Sequence, residues 1–211
     1  MRLPFRLRPL LSWFDPAMVV VDIGANHGYL AKTLATMTSS PVYATEYSNP
    51  SFAHLLHELE GERVLAYQAD GLQNLPTEVN TAIITGMGGR LILSMLAIDP
   101  FPSHLETLWL GPQSHVDELR LYLSNHGWKI IKETIVADAG QFYPFLFVVK
   151  GNEPLSNVQA YLGPRLMETK ESSFLAWMKH ESMRLATLSQ TVSLPEEEQH
   201  RLQWLQAYVK H

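Results

Sequence analysis

The chain contains no cysteine in 211 residues. That removes disulfides and thiolate metal sites, and it fits a reducing compartment. No apolar run approaches the roughly 18 residues that a membrane-crossing helix needs. The opening MRLPFRLRPLLSWF is broken by Pro9 and Ser12 and has no small-residue cleavage site, so no signal peptide is read there, and a cytoplasmic location is expected. Internal repeats and low-complexity tracts are missing as well. An excess of positive charge is also lacking. Sixteen Lys and Arg face twenty-one Asp and Glu, a net charge of −5, which argues against a protein that holds nucleic acid by bulk charge alone. The deficit is uneven, because residues 1–8 carry three arginines and no acid. A basic arm of this kind can touch phosphate, although the simpler expectation is a solvated terminus.

What is present points to an α/β protein. Apolar residues make up 46% of the chain, enough for a sizeable core, and the length suits one domain of about 150 residues plus a small appendage. Apolar runs at 19–23, 41–46, 63–70, 81–89 (running into glycines) and 107–112 alternate with helical patterns, which implies a parallel sheet with helices on both faces. Asn49, Pro50 and Gly61 punctuate one of those helices, and Gly127 closes another. Residues 128–138 and 142–151 read as a final antiparallel pair. Five βα units followed by a hairpin match the seven-strand, Rossmann-like sheet of class I methyltransferases, whereas a dehydrogenase sheet more often ends on a sixth parallel strand. GNEPLSN, residues 151–157, reads as a linker. The expected division is a catalytic domain over 1–151 and an antiparallel helical pair over 152–211, with Pro195 separating the two helices and Glu196, Glu197 and Glu198 suited to the first turn of the second.

The most informative stretch is VVVDIGANHGYL, residues 19–30. A buried strand that ends in an acid and runs into two glycines makes a tight turn at the carboxyl edge of the sheet, where open α/β sheets bind nucleotides. Gly24 lets backbone approach a ligand and Gly28 lets the next helix start close by. The spacing departs from the dinucleotide fingerprint, since Asn26 stands where a middle glycine would admit pyrophosphate. An adenosine ligand without pyrophosphate fits better, S-adenosylmethionine among them; an ordinary β–α turn is the alternative. Glu46 ends the second strand at the distance where an acid accepts from ribose hydroxyls. Asp70 ends the third strand, followed by Gly71 and Leu72, so that an acid and a backbone amide can read adenine. The fourth strand ends in Thr85, Gly86, Met87, Gly88 and Gly89, a glycine density that signals close backbone approach or positive φ. The candidate cofactor contacts are therefore Asp22, Gly24, Ala25, Gly28, Glu46, Tyr47, Asp70, Gly71, Leu72, Thr85, Gly86 and Met87. The candidate reaction contacts are Asn26, His27, Tyr29, Met87 and Gly88.

With these residues in place, the chain resembles the bacterial tRNA adenine-N1 methyltransferases of the TrmK type, which act on adenine 22. The family's V-x-D-I-G-S-D-H-A-Y-L-P pattern is met by VVDIGANHGYLA from Val20 to Ala31, its A-G-M-G-G-x-L-I by TGMGGRLI from Thr85 to Ile92, and its G-D-G-L by ADGL from Ala69 to Leu72. Its L-I-L-Q-P-N appears as LWLGPQ from Leu108 to Gln113, its G-W as Gly127-Trp128, and its E-D-x-x-x-Y region loosely as Ala137 to Tyr143. L-G-P-x-L and F-x-x-W match Leu162 to Leu166 and Phe174 to Trp177, so the likeness spans nearly the whole chain. It departs at Asn26, where the family has an acid, at Ala31 for a proline, and at Gly111-Pro112-Gln113 for Q-P-N. The resemblance implies S-adenosylmethionine as methyl donor, tRNA as partner, and a coiled-coil-like helical tail that contacts tRNA.

Adenine N1 carries an in-plane lone pair and needs no general base before attack on a sulfonium methyl, so the protein's task is alignment and water exclusion. Asn26 can accept from the exocyclic amino group, as a carboxylate would more strongly, or can contact the cofactor's amino acid part. His27 can orient substrate or can be a structural, hydrogen-bonded residue. Tyr29 can stack on the base or can pack on the sheet. No metal site is read, and His54 with His57 is expected on a solvated helix face. Competing readings are a methyltransferase for another RNA, a small molecule or a protein, a cofactor-binding protein with reduced catalysis, and, weakly, a nicotinamide oxidoreductase. A monomer is expected.

Overall fold

The computed structural model describes residues 2–209. Seven strands form one sheet in the order β3-β2-β1-β4-β5-β7-β6. β1 (Val20–Ile23), β2 (Val42–Glu46), β3 (Leu65–Gln68), β4 (Thr81–Met87) and β5 (Thr107–Pro112) are parallel. β6 (Trp128–Asp138) and β7 (Gln141–Lys150) form an antiparallel hairpin, through which β7 joins β5. The expected sheet is therefore the observed one. The hairpin is tighter than the sequence suggested: Ala139 and Gly140 both take positive φ, 49° and 76°, the pairing that suits a two-residue loop between right-twisted strands.

The order places β1 at the switch point. β2 and β3 lie on one side of it, and β4 and β5 on the other, which opens a crevice beyond its carboxyl end. Alternation along the strands divides the apolar residues between two faces. Val21 and Ile23 join Ala82, Ile84, Leu108 and Leu110 on the face covered by α3 (Gly89–Leu96) and α4 (Val116–Asn125). Val20 joins Ala44, Ile83 and Trp109 on the other, covered by α1 (Tyr29–Ala35) and α2 (Asn49–Glu58). Asp22 has the parity of Val20, so its carboxyl lies on the α1 side of a sheet that is dry on both faces.

The arginine-bearing N-terminus is not the solvated arm expected. Residues Phe5–Trp13 form a 3₁₀ helix against the β6–β7 hairpin, with Leu10 and Trp13 buried. The Trp13 ring meets Trp109 and Phe147 edge-on at 6.2 and 5.7 Å. Burial of an aromatic of this size outweighs the entropy of a few ordered residues, so the segment is held. Arg6 is thereby carried over the Tyr143 ring, 5.4 Å from its centroid.

The tail also differs from two simple helices. A capping box of Ser156 and Gln159 starts α5 (Asn157–Leu162). Gly163 at φ 96° and Pro164 break the chain before α6 (Pro164–Thr169), and Lys170 in the left-handed region breaks it again. Only α7 (Ser172–Ser189) and α8 (Glu196–Val209) pair as anticipated. The tail shares a core with Ile135 and Phe142 of the hairpin. It is also clasped by buried Arg120 of α4, which binds Glu133 and donates to the carbonyls of Ala160 and Tyr161. No helix among the described residues is long and apolar enough to cross a membrane.

Candidate active site

The turn after β1 is built by three left-handed residues, Gly24 (φ 67°), Asn26 (φ 53°) and Gly28 (φ 64°). Gly24 and Ala25 donate their N–H groups to the Thr45 carbonyl, which ties the turn to β2. Asn26 donates its backbone N–H to Glu46 Oε1 at 2.6 Å. Asparagine and aspartate are the side chains that best tolerate this backbone region. The turn therefore accepts Asn26, and would accept an acid in its place. Its side chain is exposed toward the crevice. A Cβ on Gly24 would lie 2.1 Å from the Met87 methyl, so Met87 from β4 covers this glycine.

Around the turn lies a cleft of about 780 Å³. Its floor and near wall are Asp22, Gly24, Ala25, Asn26, His27, Tyr29 and Glu46; its far wall is Thr85, Gly86, Met87, Gly111, Pro112 and Gln113. A bulge at Gly86 (φ 78°) interrupts the β4–β5 ladder there. Gly89 begins α3 against backbone, since a Cβ would sit 2.3 Å from the Ser114 carbonyl oxygen. No other residue type fits that contact.

The remaining candidates fall elsewhere. Gly28 caps α1 and packs under Leu55 and Leu59, while Gly88 caps α3 beside Ser114. Asp70 is exposed beyond β3, Gly71 packs against Met95, and Leu72 is fully buried in the core. Tyr47 is 68% exposed, and its carbonyl accepts from Gln68. None of these six lines the cleft; after β3 the chain leaves Asp70 in solvent and sends Leu72 into the core.

Several lining residues were not anticipated: Arg6 from the N-terminal helix, His54 and Ser51 from α2, and Tyr143 to Phe145 from β7. The loose match around Tyr143 was the one signal for the last group. His54 is exposed, as expected, yet it stands at the cleft. Its Nε2 lies 3.1 Å from His27 Nδ1, while His57 is exposed as expected. His27 also stacks on Tyr29 and lies 3.4 Å from Glu58.

The electrostatics of the floor are unusual. Asp22 is 4% exposed. Burial pushes its carboxyl up to about 7, with repulsion from Glu46 adding to the rise and a backbone hydrogen bond from Ala31 opposing it. No basic group enters that balance. A buried carboxyl that has a backbone hydrogen bond but, among the described residues, no ion-pair partner, beside a second acid and facing an open cleft, is suited to receive positive charge.

A family model described as tRNA (adenine(22)-N(1))-methyltransferase matches residues 20–211. A Bacillus subtilis tRNA (adenine(22)-N(1))-methyltransferase is 24% identical over 92% of this chain and 87% of its own length. A Mycoplasma genitalium protein named as a candidate tRNA methyltransferase is 31% identical over 81% of this chain and 79% of its own. A Streptococcus pneumoniae candidate tRNA (m1A22) methyltransferase, solved with S-adenosyl-L-methionine, superimposes with a TM-score of 0.86 at 27% identity, covering 99% of this chain and 98% of that one. With both signature turns on one cleft and the match running from β1 to the end of the tail, this chain belongs to the TrmK family of tRNA (adenine(22)-N(1))-methyltransferases.

Proposed function

We propose that the chain transfers the methyl group of S-adenosylmethionine to N1 of adenine 22 in tRNA, and that the cleft beyond β1 is where transfer occurs. Membership of the family gives the reaction class, cofactor and substrate class. The observation that carries the assignment of the site is the placement of Asp22, buried and without an ion-pair partner among the described residues, beside Glu46 in the cleft at the switch point. The cofactor brings a sulfonium, an ammonium and a ribose. Asp22 and Glu46 offer the carboxylates those groups require, and Glu46 has one oxygen already fixed by the Asn26 amide. A cleft of about 780 Å³ falls within the range of about 300–1,000 Å³ usual for such ligands. The residues present therefore fit the cofactor.

The bound cofactor supplies an electrophilic methyl group. The protein holds adenine N1 in line with it and keeps water out. Met87 and Phe145 give the cleft apolar wall. The Tyr29 ring, held by its stack on His27 at 5.1 Å, is the face on which the flipped base rests. Asn26 presents its side-chain oxygen to the exocyclic amino group, which shares the positive charge that develops. Extraction of the base costs a few kcal/mol, and Arg6 at the opposite rim is placed to hold a phosphate of the strand.

In this reading residues 1–151 bind cofactor and carry the chemistry, and residues 152–211 contact tRNA. The protein works as a cytoplasmic monomer. Incubation with methyl-labelled S-adenosylmethionine and bulk bacterial tRNA, followed by digestion and mass spectrometry, should yield 1-methyladenosine. Label in another nucleoside, or none in any tRNA, would reject the assignment.

A further inference from the structure

His54 and Glu58 stand four residues apart on α2 and so share one face. His27, in the turn after β1, meets that face. His54 Nε2 lies 3.1 Å from His27 Nδ1, and His27 Nδ1 lies 3.4 Å from Glu58 Oε1. A ligand atom from each of the three lies within 4.8 Å of the others. Two ligands of a tetrahedral ion at bond lengths of about 2.0–2.1 Å are separated by roughly 3.3–3.4 Å. The His27–Glu58 separation already has that length, and the His27–His54 separation is close to it.

Protons alone serve this cluster poorly. A neutral imidazole offers one N–H. If His54 donates to His27 Nδ1, that nitrogen meets the Glu58 carboxylate lone pair to lone pair. If His27 Nδ1 instead donates to Glu58, that one proton is split between the carboxylate and the His54 lone pair, a bifurcated bond weaker than two separate ones, and an N–H on His54 would meet it proton to proton. A single cation satisfies all three acceptors. The positions are also fixed in advance. Gly28 packs so closely on α2 that a Cβ there would lie 2.8 Å from Leu59. Lys32 Nζ sits 3.4 Å from Glu58 Oε2 and so holds the carboxylate by its other oxygen. His27 is 38% exposed on its side chain, and both histidines line the cleft, so an ion has a route in.

We propose that His27, His54 and Glu58 bind one divalent transition-metal ion of the zinc class in the wall of the cleft, leaving a coordination position for water. Two imidazoles and a carboxylate favour zinc or cobalt(II) over magnesium, whose preferred ligands are all oxygen. The site neither requires nor is required by the cofactor assignment. It joins the β1–α1 turn to α2 and fixes the ring on which Tyr29 stacks.

The test uses the full chain, stripped with chelator and then titrated with zinc by calorimetry and with cobalt(II) by absorption. One ion per chain is expected, with the visible bands of a low-coordinate cobalt site. His54→Ala and Glu58→Gln should each weaken binding by roughly tenfold or more. His57→Ala, on the exposed side of the same helix, should leave it unchanged. Circular dichroism checks folding, and the near-isosteric Glu58→Gln carries the test if His54→Ala does not fold. Absence of saturable binding overturns the proposal. So does an ion held equally well by His54→Ala and Glu58→Gln, which would place it elsewhere.

Discussion

The two ends of the molecule treat charge in opposite ways. In the tail, each arginine is bound where it stands. Arg165 pairs with Glu153 and Glu168, Arg184 with Glu181 and Glu198, and Arg201 with Asp117, Glu197 and Glu198. At the junction the buried Arg120–Glu133 pair is completed by two carbonyls and by the Arg165 amide. In the cleft, the buried Asp22 and its neighbour Glu46 are each met by a backbone N–H, and neither forms an ion pair among the described residues. Closed charge networks hold the tail to the sheet. The buried Asp22 costs stability in the free protein, a cost that an arriving cation would offset.

The comparison breaks most sharply at Arg120. Replacing it with Met strands a buried carboxylate and two carbonyls, and should cost about 3–5 kcal/mol by denaturant unfolding. The double variant Arg120→Met, Glu133→Leu should recover part of that loss, because no charge is left behind.

The cleft should respond in the opposite direction. Asp22 has its carboxyl raised from 3.8 to about 7. Below about pH 4 it is neutral folded and unfolded, and its effect is nil. As pH rises through the window from 4 to 7 the unfolded chain ionises first, so stability falls. Above 7 the deficit reaches about 4 kcal/mol. Asp22→Asn should therefore be more stable than the parent at pH 8, with the gap closing toward pH 4, while losing cofactor affinity. Equal stability of the two proteins at pH 8 would show that Asp22 is not the strained group described.

Two smaller effects sharpen the contrast. Asn26→Asp adds a carboxylate at a position whose left-handed backbone accepts it. It should raise methyl transfer about fivefold, the equivalent of about 1 kcal/mol from a charge-assisted hydrogen bond; activity seen only in this variant would mean that the parent is a cofactor-binding protein. Arg6→Ala should weaken tRNA binding modestly and flatten its salt dependence by about one unit of slope.

Much of this was legible in the residues. The strand-end acids and glycine turns announced the cleft because β–α turns at a parallel edge leave little freedom in residue type, and Asp22, Gly24, Glu46 and Gly86 met as expected. Asp70 and Leu72 did not, because nothing local tells whether the chain after a strand crosses the edge or drops into the core. Arg6, His54 and Tyr143 reach the cleft by tertiary packing alone. The short helices α5 and α6 escaped notice because a rough helical period continues through Gly163 and Lys170. Positive φ at those two positions, with Pro164 after the first, ends the turns.

Calorimetric titration with S-adenosylmethionine between pH 5.5 and 7, on the parent and on Asp22→Asn, tests the central claim most directly. If the open acids of the cleft receive the cationic cofactor, the parent should bind more tightly as pH rises and Asp22 loses its proton, and the variant should bind weakly with little pH dependence. Tight binding that is the same in both proteins at every pH, or no binding by either, would contradict the account.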